Sequence, residues 1–133
     1  MEFIPEENYL GLDEIEILSE IAQNCHNLAA NSGWWNDINT GEKLNKNKGE
    51  LLCLIHSEIS EAMEGVRKNL MDDKLPHRKM EEVELADAVI RIFDYAGGFN
   101  LDIAGAISEK LAYNANREDH KVENRKKENG KKF

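Results

Sequence analysis

The sequence predicts an all-α protein, a four-helix, bundle-like domain completed by self-association. Three observations point there. The chain holds only two prolines, Pro5 and Pro76, and neither interrupts a periodic segment. Strand signals are poor, because β-branched residues are scattered and no alternating run occurs. Four segments instead carry apolar residues at helical spacing, separated by short turns and one longer loop. At 133 residues the chain is long enough for one core and too short for two ordinary domains.

The first helix is expected over residues 13–32. Asp13 followed by Glu16 reads as a capping box, Ile17, Leu18, Ile21, Leu28 and Ala29 follow at helical spacing, and Gly33 is the expected stop. GWWNDINTGEKLNK, residues 33–46, is rich in Gly, Asn and Asp and reads as a loop. A second helix is expected over 47–70, followed by a turn at MDDKLPH. The third spans 78–96 and stops at Gly97-Gly98. Asn100 caps the fourth, which runs over 100–117. The basic tail, residues 118–133, has too few apolar residues to pack and is expected to be mobile.

Composition narrows the function classes. No stretch approaches the roughly 18 apolar residues of a membrane span. The N-terminus, MEFIPEENYL, begins acidic and lacks the basic and apolar regions of a secretory signal. Cys25 and Cys53, with no CxxC and no Cys–His cluster, read as reduced thiols in a cytoplasmic protein without a zinc site. The net charge is −9 and unevenly spread. Residues 117–133 hold seven basic and four acidic residues, so residues 1–116 carry a net −12. An acidic body argues against nucleic acid as the main partner, though not against a phosphate ligand delivered with a divalent cation.

The third helix carries the chemistry. VELADAVIRIFDYA, residues 83–96, is apolar on nearly every side, yet it holds Glu84, Asp87, Arg91 and Asp94. At about 100° per residue these four share an arc of roughly 80°. Charges on a buried helix need partners or a metal. The second helix offers Glu58, which emerges among Leu51, Leu54 and Ala62, and Glu61 one turn along. If the two pairs face each other, four carboxylates converge, and a hard cation such as Mg²⁺ or Mn²⁺ resolves their repulsion. Arg91 and Asp94 are then left as a salt bridge or as an outer pair beside the metal. Glu64, Glu81 and Glu82 read as an ordinary solvated face. Di-iron chemistry is disfavoured, because neither pair has a histidine three residues on, and His56 points away from Glu58.

These residues resemble a family, the MazG-like all-α NTP pyrophosphohydrolases. Its motif is EExxE, a spacer, then ExxD, on adjacent helices. Here SEISE, Ser57 to Glu61, is followed by 22 residues and then ELAD, Glu84 to Asp87. Ser57 stands where the family has its first Glu. The resemblance covers roughly residues 12–117. It implies Mg²⁺-dependent hydrolysis of a nucleoside triphosphate to the monophosphate and pyrophosphate. Glu58, Glu61, Glu84 and Asp87 would hold the metal, and Glu61 is the candidate general base. It also implies a homodimer or homotetramer, in line with more apolar surface than one small bundle can cover.

Phosphates need donors, and Lys110, Asn114 and Arg117 lie at i, i+4 and i+7 on the fourth helix. KLAYNANR is similar to the family's basic and amide cluster, and a polar outer face is the plain alternative. Trp34 and Trp35 stand in a polar loop that does not need two indoles, so a nucleobase could stack there. They could equally cap the bundle or fill a subunit interface. Asn36 and His26 are candidate base-edge contacts. Two other readings stand beside the hydrolase. One is a same-fold enzyme acting on another pyrophosphate compound such as phosphoribosyl-ATP, and the other is a non-catalytic helical interaction module.

Overall fold

The computed structural model describes residues 10–133. The acidic N-terminus, with Pro5 and the stretch read as lacking a secretory signal, lies outside the described residues. The described residues are all-α, with two isolated antiparallel bridges, Asn36 to Lys43 and Met71 to Lys79, as the extended pairing among them. None of their helices is long and apolar enough to cross a membrane. Cys25 and Cys53 are both free. The chain divides into two compact units. One is Ile21–Leu101, and the other combines the residues up to Glu20 with Asp102–Phe133.

Helix α1 spans Leu12–Asn31. Its start lies two residues before the expected Asp13–Glu16 box. Glu14 reaches back to accept from the Gly11 amide at 3.0 Å, because Gly11 and not Asp13 is the residue outside the helix. Its end is as the sequence predicts. Gly33 has φ +89°, the Gly33 amide donates to Ala30 O at 3.0 Å, and the Trp34 amide donates to Ala29 O at 3.2 Å. That is the Schellman arrangement, which satisfies carbonyls otherwise left open.

Within the 21–101 unit, α2 (Lys48–Lys68) packs along α3 (Met80–Gly98). Asn47 caps α2 by accepting from the Glu50 amide at 2.9 Å, and left-handed Asn69 closes it. The intervening turn is tied by Asp72, whose buried carboxylate accepts from the Lys74 and Leu75 amides. The helices meet tightly where Gly65 faces Met80, since a Cβ at 65 would lie 2.9 Å from Met80 Cβ. The buried apolar residues of this unit are mostly small: Ala22, Ala62, Ala88 and Ala96, with Phe93 and Trp35 as the large ones. Many larger apolar side chains, among them Ile59, Met63, Leu85 and Val89, remain exposed.

Helix α3 does not stop before its glycines. It runs through Gly97 and Gly98, for a tertiary reason that local propensity cannot register. A Cβ at 97 would lie 2.5 Å from His26 Cβ, and one at 98 would overlap the Trp35 ring. The glycines are seats for those side chains. The stop is Asn100, at φ +57°, with the Leu101 amide donating to Ala96 O at 2.8 Å.

In the other unit, α4 (Ile103–Ala115) is capped by Asp102, which accepts from the Gly105 amide at 3.0 Å. Asn100 is therefore the terminator of α3 and not the cap of the fourth helix. Buried Ala104, Ser108 and Ala112 recur every fourth residue along α4. The expected tail carries a 3₁₀ turn, Glu118–His120, and one short helix, α5 (Val122–Arg125). Charge and amide contacts organise it: Arg117 forks onto Asp119, Lys121 meets Glu118, and Asn124 donates to Glu118 O. Such exposed pairs are screened by solvent and contribute little to stability.

Candidate functional site

The i, i+3 spacing of each acidic pair places both members on one side of its helix, and the packing of α2 on α3 turns those sides together. One carboxylate oxygen each from Glu58, Glu84 and Asp87 lies within 4.8 Å of the others. Glu58 is buried, and Glu84 and Asp87 are half-buried. Glu61 is exposed and stands outside this three-residue set, yet close enough to Glu84 to affect its proton. Ser57 turns back on its own helix, its hydroxyl donating to Leu54 O at 2.6 Å.

The electrostatics follow from crowding. Burial, with hydrogen bonding and repulsion from Glu58 and Glu61, pushes the Glu84 carboxyl up to about 8. Burial also raises Asp87, as do the charges of Glu58 and Asp72, against an opposing pull from Arg91. Burial acts on Glu58 in the same sense, but hydrogen bonds with Glu84, Arg91 and Glu61 outweigh it and hold Glu58 below the usual carboxylate range. The cluster is thus arranged to keep a proton on Glu84 unless a positive charge replaces it. The donor set is all hard oxygen, which fits a Mg²⁺- or Mn²⁺-type cation and not a soft one.

Arg91 and Asp94 do not pair with each other. Arg91 Nε donates to Glu58 Oε1 at 2.9 Å, which gives the buried carboxylate a counter-charge across the two helices. Asp94 Oδ1 receives two donors, His26 Nδ1 at 2.9 Å and the Trp35 indole Nε1–H at 2.8 Å. Since that oxygen only accepts, Nδ1 is the protonated nitrogen of His26 toward it. The His26 and Trp35 rings meet in a T-shaped arrangement with centroids 5.0 Å apart, and Trp35 and Phe99 do the same at 5.5 Å. Trp35 is only 5% exposed.

A groove of about 470 Å³ runs beside the carboxylates. Glu58, Asp87 and Arg91 line its polar part, Leu54 and Ile90 its apolar part, and Trp34, Trp35 and Asp94 also line it. Trp34 is 66% exposed, so the two adjacent indoles have opposite characters. Asn36 lies away from the groove walls and donates its side-chain amide to Gly41 O at 3.0 Å. His26 is not among the groove-lining residues and contacts Asp94 and Trp35.

The expected phosphate donors belong to the other unit. Lys110 and Asn114 remain on α4, but the helix ends at Ala115, so Arg117 leaves the face the sequence assigned to it. Its guanidinium forks onto Asp119 at 3.0 and 2.8 Å. Lys110 Nζ sits 4.6 Å from the Tyr113 ring centre. The Asn114 side-chain oxygen is buried with no donor among the described residues. No protein-family model, no curated protein and no solved structure matches the chain.

Proposed function

We propose that the protein is a Mg²⁺-dependent nucleoside triphosphate pyrophosphohydrolase of the MazG-like kind, acting in the cytoplasm on (d)NTP to give (d)NMP and pyrophosphate. Mn²⁺ is expected to substitute. One observation carries the reading: Glu58, Glu84 and Asp87 converge within 4.8 Å beside a groove that two tryptophans also line. Glu58, Glu61, Glu84 and Asp87 would hold the cation. When bound, it neutralises phosphate charge and acidifies an attacking water.

The chain's own residues divide the remaining work. Glu61, the exposed carboxylate beside Glu84, is assigned the proton of the attacking water. Arg91 spends Nε on Glu58 and keeps its terminal nitrogens for a phosphate on the groove side. Lys110, Asn114 and Arg117, the donors expected from the sequence, belong to the other unit, where Arg117 is engaged by Asp119. Trp34 offers an exposed indole face for the base. The apolar residues left exposed on α2 and α3 support a homodimer or homotetramer.

The test is pyrophosphate release from a panel of ribo- and deoxynucleoside triphosphates, with Mg²⁺ and then with EDTA. Metal-dependent release with a matching monophosphate is expected. Silence across the panel from a folded protein overturns the reading.

A further inference from the structure

We infer that Asp94 reads the nucleobase, and that the groove selects a base carrying an exocyclic amino group, whose N–H is accepted by Asp94 Oδ2. The inference rests on the reading of the groove as a nucleotide site. Its first support is the way Asp94 is held. Oδ1 is saturated by His26 and Trp35, which arrive from 68 and 59 residues away in sequence. Two donors on one oxygen fix the plane of the carboxylate. Among the described residues no donor reaches Oδ2. That oxygen keeps contact with solvent, so a ligand N–H there would take the place of water.

The second support is position. Asp94 lines the same groove as Trp34, Leu54 and Ile90, which offer apolar surface to a flat ring. It stands seven residues beyond Asp87 on the same helix, two turns along, so the base end and the phosphate end lie in line. The third is chemistry. A carboxylate only accepts. Cytosine, adenine and guanine can offer it an amino group. Uracil and thymine present C4 carbonyl oxygens, which meet Oδ2 with like partial charge, and their ring N–H is flanked by two such oxygens. An acidic side chain reading the cytosine amino group is an established pairing in base recognition.

Binding of monophosphates separates this inference from the hydrolase reading. CMP, AMP, GMP, UMP and the 4-deamino analogue of CMP are titrated calorimetrically into wild type and Asp94→Asn, with Mg²⁺ present. Wild type should bind CMP about ten- to a hundredfold more tightly than UMP or the deamino analogue. Asp94→Asn keeps an oxygen for His26 and Trp35, since both donate, and presents an amide N–H to the groove. It should therefore level or invert the CMP-to-UMP ratio. Equal binding by wild type, a preference for UMP, or no saturation by any of CMP, AMP and GMP at millimolar concentration overturns the inference. So does a variant that loses CMP and UMP equally, which is the signature of a residue that only positions Trp35. Should the variant not fold, the wild-type comparison of CMP with its deamino analogue decides alone. A protein that binds CMP in this way but releases no pyrophosphate from any triphosphate retires the hydrolase reading and leaves the inference standing.

Discussion

Without divalent cations, folding stability should fall as pH rises from about 5 to about 8, and Glu84→Gln should remove most of that fall. The carboxyl of Glu84 sits near 8 in the folded chain against an ordinary 4.5. A raised pKa means that the folded state binds more protons than the unfolded state throughout that interval. The proton's contribution is full below about 4.5, is lost progressively as pH climbs, and is gone above about 8. At about 1.4 kcal/mol per unit the ceiling is about 5 kcal/mol. Glu84 is only half-buried, and solvent screens it while the carboxylates can move apart, so about 1–2 kcal/mol is the expected loss. Asp87 adds a smaller slope of the same sign. Glu58, held low, loses its stabilisation only toward acid pH. Because Glu58 is held low partly by its hydrogen bond with Glu84, the difference between the two proteins reports Glu84 together with that coupling. Urea unfolding in EDTA at several pH values measures it. Saturating Mg²⁺ should restore wild-type stability at high pH by mass action and restore the variant less. Parallel pH profiles for wild type and Glu84→Gln in EDTA would refute the reasoning.

The two tryptophans should respond differently to removal. Trp35→Ala deletes a buried ring and strands Asp94, so it should cost about 3–5 kcal/mol in urea unfolding. Trp34→Ala should leave stability within about 0.5 kcal/mol and chiefly raise KM for the triphosphate, and an unchanged KM would remove Trp34 from the base site. Glu58→Gln and Asp87→Asn should abolish pyrophosphate release while circular dichroism stays helical, and wild-type rates in either would remove the carboxylates from the chemistry. Gly98→Ala should destabilise by about 1–3 kcal/mol, because the added methyl meets the Trp35 ring, even though alanine normally favours a helix over glycine. A stabilised Gly98→Ala protein would show that the ring yields freely.

Local signals foretold some of the ends that nearby residues make, although they missed the Gly11–Glu14 start of α1 and the Asp102 cap of α4. Gly33 closes α1, and Asn47 caps α2, through bonds spanning only a few positions. The third helix was misjudged at its end because the stop depends on rings from positions 26 and 35, which no window around 97 and 98 contains. The convergence of Glu58, Glu84 and Asp87, though not of Glu61, was legible for a related reason. Two residues three apart on an apolar face must share a side, so only the facing of two helices had to be supplied. The partners of Arg91 and Asp94 were not legible. Glu58 lies 33 residues from Arg91, and His26 lies 68 from Asp94, and the residues nearest in sequence made a more obvious pair than the true ones. The signal that did exist was an unexplained second carboxylate on a nearly apolar helix, followed by two glycines.

Helix α3 also acts as a ruler. Asp87, Arg91 and Asp94 follow one another at about one turn apiece along a single continuous rod, and the rise of about 1.5 Å per residue puts Asp87 and Asp94 about 10 Å apart along its axis. Neither end sits on a loop that could slide to accommodate a shorter or longer guest. A fragment that reaches one mark leaves the other untouched, and inserting or deleting a single residue between them would swing the far mark about 100° around the rod. On the proposed reading, the spacing between the phosphate end and the base end would therefore be set by backbone hydrogen bonds, where surface substitutions cannot easily retune it.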